Sequence, residues 1–248
     1  MSRADHCHPR RSSISSPRPI LSLIIPIFNE EELLPRVLER VRAVPIDKEL
    51  ILVDDCSVDG TREILKREEH QPDVKVFYHE RNRGKGAAIR TGLAHATGDI
   101  VIIQDADLEY DPNDIPAVIQ PILAGRTNVA YGSRFMGRIE GMRLPNRVAN
   151  WLLARLVSFL YGQPLTDEAT AYKAFRRELV QAIPLDCQRF EFCPEVTAKV
   201  LRMGERIIEV PVSYRARTFE EGKKIGWRDF HQAVRVLWKY RHWKPGER

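Results

Sequence analysis

VIIQDADLEYDP, residues 101–112, passes from an apolar run into a cluster of acids within one short segment. Ile100 to Ile103 has the composition of a buried β-strand. Asp105, Asp107 and Glu109 then follow at alternating positions. A strand that delivers carboxylates at its C-terminal tip suits a hard divalent cation. Mg²⁺ and Mn²⁺ take oxygen ligands, often one or two carboxylates, with substrate phosphates and water completing the shell. A solvated acidic turn uses the same residue types. The segment alone does not separate the two readings.

The chain on either side sets the context. Its 248 residues, 43% of them hydrophobic, suffice for one large domain with a proper core. Cys7, Cys56, Cys187 and Cys193 form no CxxC pair, so a reducing compartment is expected. A net charge of +5, much of it near the ends, argues against a general nucleic-acid binder and leaves room for phosphate-rich substrates or an anionic membrane surface. No segment approaches the ~18–20 apolar residues of a spanning helix. Residues 1–19 lack an apolar signal-peptide core and are expected to be a disordered basic tail.

Upstream of the acidic strand, Leu21 to Ile25 is a continuous apolar run, as expected of a strand covered on both faces. Asn29 is the expected N-cap of the next helix, with Glu30, Glu31 and Glu32 in its first turn, where the dipole favours acids. Leu33, Leu34, Val37, Leu38 and Val41 mark its apolar face. Leu50 to Val53 is a second strand, ending in Asp54 and Asp55, and Val74 to Tyr78 is a third. Arg81 to Thr97 is a Gly-containing loop feeding an Ala-rich helix. This β-α-β-α-β order with short loops predicts an α/β domain built on a parallel sheet. Ligands of such sheets bind outside the carboxyl ends of the strands. Pro26–Glu30, Asp54–Ser57 and Asp105–Glu109 are therefore expected to converge on one crevice.

Downstream, helices are expected over Asn113–Leu123, about Asn146–Tyr161 and Cys193–Met203, with strands over Val129–Gly132 and Arg206–Tyr214. Near the C-terminus, Trp227, Phe230, Val234, Leu237, Trp238 and Arg241 recur at roughly helical spacing among basic residues. Such a stripe either packs on its own domain or lies in a membrane interface. The organisation read from these signals is a tail over 1–19, one α/β domain over 20–225 and a basic amphipathic helix over 226–248.

Seven segments follow one another over roughly residues 20–225: SLIIPIFNE (22–30), LVDDCSVDGT (52–61), NRGKGAAIRTG (82–92), DADLEYDP (105–112), YGSRF (131–135), DEATAYKAFRREL (167–179) and EVPVSYRAR (209–217). In this order they resemble the family 2 glycosyltransferases of the glycosyltransferase-A fold, in particular the polyprenyl-phosphate enzymes such as dolichol-phosphate mannosyltransferase. The resemblance implies a single Rossmann-like domain with a mostly parallel central sheet. The implied activity is metal-dependent, inverting transfer of a hexose (mannose or glucose) from a GDP- or UDP-sugar to a polyprenyl or dolichyl phosphate. The implied location is cytoplasmic, peripheral on the membrane face, through direct contact or a membrane-anchored partner.

The resemblance also implies roles. Pro26, Phe28, Glu30, Val53 and one or both of Asp54 and Asp55 would hold the donor's base and ribose, with Lys85 and Ala106 in the same nucleotide-sugar site. Asp105 would contact ribose or sugar, Asp107 would reach the diphosphate through Mg²⁺ or Mn²⁺, and Glu109 would be a further oxygen ligand. The loop carrying Lys85 lacks P-loop spacing, so a phosphate contact and a plain turn before a helix both fit. Arg134 and Arg217 would face the acceptor phosphate, with Arg147 and Arg143 as further candidates; a planar guanidinium fork suits that task.

Asp167 divides two hypotheses. A hydroxyl acceptor needs a carboxylate base, whereas a lipid phosphate is already anionic and leaves Asp167 to orient basic groups. Two departures from the mannosyltransferase pattern, Ala171-Tyr172 in place of Gly-Phe and TFEEGKKIGW at 218–227, leave sugar and acceptor open. A non-catalytic nucleotide-sugar-binding scaffold is the rival outside the enzymes. Asp105, Asp107 and Arg134 together speak against it.

Overall fold

The computed structural model describes residues 20–217 and 227–246. The expected tail at 1–19 and the departure at 218–226 lie outside these residues. The first half follows the strand–helix alternation read from the sequence: β1 (Leu21–Ile27), α1 (Leu34–Ala43), β2 (Lys48–Asp54), α2 (Thr61–Glu68), β3 (Val74–Tyr78), α3 (Lys85–His95) and β4 (Ile100–Ile103). The second half continues with α4 (Ile115–Leu123), β5 (Val129–Ser133), β6 (Ile139–Glu140), α5 (Leu144–Tyr161), β7 (Lys173–Arg176), α6 (Arg177–Ala182), α7 (Phe192–Arg202), β8 (Ile207–Pro211), β9 (Tyr214–Arg215) and α8 (Trp227–Lys239).

Seven strands form one sheet in the order β3-β2-β1-β4-β7-β5-β8. β1 pairs in parallel with both β2 and β4, so strand order reverses between β1 and β4. That reversal opens a crevice beyond their carboxyl ends. β7 is antiparallel to both its neighbours, β4 and β5. No strand is expected there from the sequence. A small two-stranded sheet, β6 with β9, stands apart from the main one.

Side-chain alternation along each strand supplies two cores. Ile24, Ile51, Val53, Val101 and Ile103 join one cluster, with residues of α3, α5 and α7. Leu23, Ile25, Leu50, Leu52, Ile100 and Ile102 join the other, with residues of α1 and α4. The period of two sends successive residues to opposite faces, which explains why these strands read as unbroken apolar runs. Gly92 lets α3 approach β1 closely, since a Cβ there would lie 2.4 Å from Ile24 Cγ2.

Two local expectations change. α1 begins at Leu34 with Pro35 in its first turn, and Glu30 to Glu32 precede the helix. Asn29 is not its cap. It adopts a left-handed backbone (φ 54°) and ties the ends of β1 and β2 together. Its Oδ1 accepts from the Val58 amide at 2.9 Å, while its own amide donates to Ser57 Oγ at 2.9 Å. The C-terminal stripe packs on its own domain. Ala233 and Leu237 are buried and Phe230 and Val234 lie against the core, whereas Trp227 and Trp238 remain exposed.

Candidate active site

The crevice collects residues from β1, β2 and β4 and from the segments that close over them. The Pro26 and Phe28 side chains are half-buried at the end of β1. Asp54 and Asp55 end β2, and both carboxylates are bonded within the fold. Asp54 accepts from the Ser57 amide at 3.1 Å and from Arg62 Nε at 2.7 Å. Asp55 accepts from Arg83 N at 2.8 Å and Gly84 N at 2.6 Å, and pairs with His79 Nδ1 at 2.7 Å. Asp55 thereby fixes the NRGKG loop. The contacts on both acids are those of loop closure, the alternative that turn-forming residues allow. Val53 and Ala106 have side chains buried in the core, so only their main-chain groups can face the crevice.

The NRGKG loop combines the two readings open to Lys85. Gly84 takes φ 91° and α3 starts at the next residue, so the segment is a turn before a helix. The amides of Gly86 and Ala87 donate to Arg189 O and Gln188 O, at 2.8 and 2.9 Å, rather than facing the crevice. The Lys85 ammonium reaches across to Asp105 Oδ1 at 2.6 Å. Burial alone would depress the ammonium's pKa, but Asp105 outweighs it and the net direction is upward. Lys85 therefore stays charged at the tip of β4.

Beyond β4 the acids take different partners. Asp107 Oδ2 lies 3.4 Å from Arg217 Nη2, and the same nitrogen is 3.3 Å from Glu30 Oε1. Arg217 thus links the end of β1 to the tip of β4. Leu108 turns the chain with φ 55°. After it, Glu109 accepts from the Tyr214 hydroxyl at 2.7 Å and from the Arg217 amide at 2.8 Å. Its carboxylate anchors the β9 segment. Burial and the nearby Glu109 both push the Tyr214 phenol up, keeping it a hydrogen-bond donor.

The expected ligand set of Asp105, Asp107 and Glu109 is therefore not gathered. Among the described residues no three His, Cys, Asp or Glu side chains form a metal-holding group. The donor chemistry still fits a hard cation in a narrower form. Mg²⁺ or Mn²⁺ commonly takes one or two protein carboxylates and completes its shell with phosphate oxygens and water. Asp107, half-buried, offers such a carboxylate, with Asp105 beside it oriented by Lys85.

Arg134 and Asp167 meet each other. Arg134 Nε and Nη2 donate to Asp167 Oδ2 and Oδ1, both at 2.7 Å, and the Arg134 amide adds a bond of 3.0 Å to Oδ2. Asp167 is wholly buried and Arg134 nearly so. Of the two roles open to Asp167, the geometry displays the orienting contact to an arginine, and the Arg134 edge suited to a phosphate is engaged by that carboxylate. Arg134 also lies over the Tyr214 ring, 5.1 Å from its centre, so the pair supports the segment that carries Arg217. Arg147 stands exposed in the first turns of α5.

Several supporting residues carry no sequence signal. His79 joins Asp55 to Thr91 Oγ1. The Tyr172 hydroxyl donates to Gln104 Oε1 at 2.6 Å, and Gln104 Nε2 donates to the Asp105 carbonyl at 2.9 Å. Tyr172 is one of the two residues that depart from the mannosyltransferase pattern, and here it steadies the backbone of the acidic tip. Glu209 accepts from the amides of Thr166 and Asp167, holding the loop that presents Asp167.

The comparisons place this arrangement in a family. The model of glycosyl transferase family 2 matches residues 22–183. An undecaprenyl-phosphate mannosyltransferase of Micrococcus luteus is 30% identical over 216 residues, covering 82% of this chain and 86% of that protein. An undecaprenyl-phosphate 4-deoxy-4-formamido-L-arabinose transferase of Photorhabdus laumondii is 33% identical over 210 residues. That match covers 82% of this chain but 62% of the relative, so the chain spans less than two-thirds of that protein. The crystal structure of glucosyl-3-phosphoglycerate synthase from Mycobacterium tuberculosis, with Mn²⁺, UDP and phosphoglyceric acid, shares the fold. Its TM-score is 0.70 at 23% identity, over 90% of this chain and 79% of that one. The chain belongs to glycosyl transferase family 2 and is a glycosyltransferase.

Proposed function

We propose that the chain transfers a hexose, with inversion, from a nucleoside-diphosphate sugar to a polyprenyl phosphate. The observation that carries this reading is the approach of Arg217 to Asp107, 3.4 Å apart at the switch point of the sheet. An acid suited to the metal–diphosphate side thus stands next to a cation suited to an anionic acceptor. Two relatives named for undecaprenyl-phosphate transfer support the acceptor class.

In this reading Pro26, Phe28 and Glu30 form the donor side, and Asp107 would hold Mg²⁺ or Mn²⁺, which when bound would supply Lewis-acid stabilisation of the leaving diphosphate. Lys85 and Asp105 set the sugar-facing tip of β4. Arg217 orients an acceptor phosphate, whose oxygen attacks the anomeric carbon. The bond from that carbon to the diphosphate oxygen breaks, and the electron pair leaves with the nucleoside diphosphate. A phosphate oxygen carries no proton to be removed, so no base is needed. A hydroxyl acceptor with Asp167 as base is disfavoured by the buried pairing of that carboxylate with Arg134.

The test is a panel of UDP- and GDP-sugars with Mn²⁺ or Mg²⁺, with and without a short polyprenyl phosphate. Turnover that requires the lipid phosphate and stops on chelation is the expected result. Donor turnover indifferent to the lipid phosphate counts against the acceptor, and activity that survives full chelation counts against the metal.

A further inference from the structure

Gln104 joins β4 to the acidic tip, and it is wholly buried. Two contacts fix its side chain. Nε2 donates to the Asp105 carbonyl at 2.9 Å, and Oε1 accepts from the Tyr172 hydroxyl at 2.6 Å. A carbonyl can only accept, so the amide nitrogen must face Asp105, which leaves Oε1 for a donor. Tyr172 supplies it. Burial pushes the Tyr172 phenol well above its ordinary value, so the hydroxyl keeps its proton. The Tyr110 ring stacks on the Tyr172 ring, with centres 4.6 Å apart, and holds it in place. The Asp105 carbonyl matters because little else fastens this stretch. Among the described residues it is the one main-chain group of 105–108 that makes a hydrogen bond.

We infer that the Tyr172 hydroxyl is a positioning group for the metal–diphosphate side of the site. Held through Gln104, the peptide after Asp105 sets the directions in which two carboxylates leave the main chain. Asp105 meets Lys85 and Asp107 meets Arg217. Carboxylates that are to face a cation and a diphosphate bind best when they already stand in place, because any freedom left to the tip is lost on binding. Without the hydroxyl, the Gln104 amide loses the partner that orients it, and the peptide it clamps is free to turn. Tyr172 is wholly buried, so it stays behind the crevice wall and acts through Gln104. It stands where the mannosyltransferase pattern has Phe, so the clamp belongs to this chain and not to that pattern. The inference rests on the reading of Asp107 as metal-facing given above, and it is independent of the acceptor.

The test is calorimetric titration of Mn²⁺ into the full chain, with UDP and in parallel with GDP. Urea denaturation, and hydrogen exchange at the amides of 106–109 without ligand, are read beside it. Tyr172→Phe keeps the stacked ring and is expected to bind Mn²⁺ about tenfold more weakly, as loss of a group that orients metal ligands does. Its tip amides should exchange faster. It also strands Gln104 Oε1, so its urea midpoint should fall. Gln104→Met/Tyr172→Phe separates the two effects, because it removes both polar partners and nearly keeps the volume. It is expected to regain the wild-type midpoint while Mn²⁺ affinity and tip exchange stay as in Tyr172→Phe. Tyr161→Phe, which loses a bond to the Leu237 carbonyl, should be less stable yet hold Mn²⁺ as wild type does. Affinity that returns with stability in the double variant, or that never falls, overturns the inference and leaves the metal reading standing. Wild type that takes up no Mn²⁺ with either diphosphate overturns both.

Discussion

The guanidinium of Arg134 and the carboxylate of Asp167 face each other through two hydrogen bonds of 2.7 Å, inside a region closed to water. The two residues lie 33 positions apart, and their bond fastens the end of β5 to the loop that precedes β7. A buried ion pair of this kind adds little over well-packed apolar groups, but removing one member leaves the other charge stranded. Asp167→Ala is expected to cost about 3–5 kcal/mol, read from urea denaturation. Arg134→Met/Asp167→Leu should recover most of that loss. A base role would instead show as lost turnover with unchanged stability in Asp167→Asn.

Asp107 is expected to matter for chemistry rather than folding. Its carboxylate is half-buried, accepts from the Glu109 amide at 3.0 Å through Oδ1 and meets Arg217 at 3.4 Å through Oδ2, and asparagine keeps the Oδ1 acceptor. Asp107→Asn should leave the melting temperature near wild type and lower transfer by roughly 10²-fold or more, since Lewis-acid stabilisation is worth several kcal/mol. Mn²⁺ affinity in the presence of nucleoside diphosphate should fall in parallel. A variant with full activity and unaltered Mn²⁺ binding would remove Asp107 from the metal site.

Glu109 should behave as an anchor. Its carboxylate accepts from the Tyr214 hydroxyl and the Arg217 amide, so Glu109→Ala strands two donors and is expected to cost about 1–3 kcal/mol. Glu109→Gln keeps an acceptor and should cost less. Neither should change Mn²⁺ affinity more than threefold by direct titration. A tenfold loss in Glu109→Gln would restore Glu109 as a ligand.

Glu168 gives a pH signature. Its carboxylate oxygens are buried without a well-formed hydrogen bond among the described residues, and burial, opposed by the Lys173 ammonium and more weakly by the nearby Thr197 hydroxyl, raises its pKa above the ordinary glutamate value. The folded state therefore binds this proton more tightly than the unfolded chain. Its stabilising effect is complete below the unfolded carboxylate pKa and disappears as pH rises through the raised folded value. Glu168→Gln is expected to gain stability over wild type at pH 7–8, an advantage that vanishes near pH 4. Melting curves across that range test it, and a pH-independent difference would refute the assignment.

Much of the first half of the sheet was legible because β1, β2 and β4 are covered on both faces and lead into turn-forming acids. Continuous apolar runs give such strands away, and parallel order places their tips together. β7 was hidden for the opposite reason. Lys173-Ala-Phe-Arg176 is short and opens with a lysine, yet Lys173 is wholly buried, bonded to the Glu168 carbonyl and seated 3.6 Å over the Tyr131 ring. A compensated buried charge looks like a surface one in sequence. The acids show the same limit. Residue type and spacing marked Asp105, Asp107 and Glu109 as a set, but the left-handed turn at Leu108 directs Glu109 to Tyr214. Asn29 has the composition of a helix cap, and only its contacts with Ser57 and Val58 reveal a staple between loops. Arg134 and Asp167 were each singled out, but nothing local announced that they answer one another.

The most direct test of the central claim is a side-by-side transfer assay with two acceptors of identical chain length, a short polyprenyl phosphate and the corresponding polyprenol. Each receives the same labelled nucleotide sugar and Mn²⁺. The account predicts a glycosyl phospholipid from the phosphate and no product above background from the alcohol. Glycosylation of the alcohol at a comparable rate would contradict it, because the proposed reaction takes an already ionised acceptor and leaves Asp167 paired with Arg134.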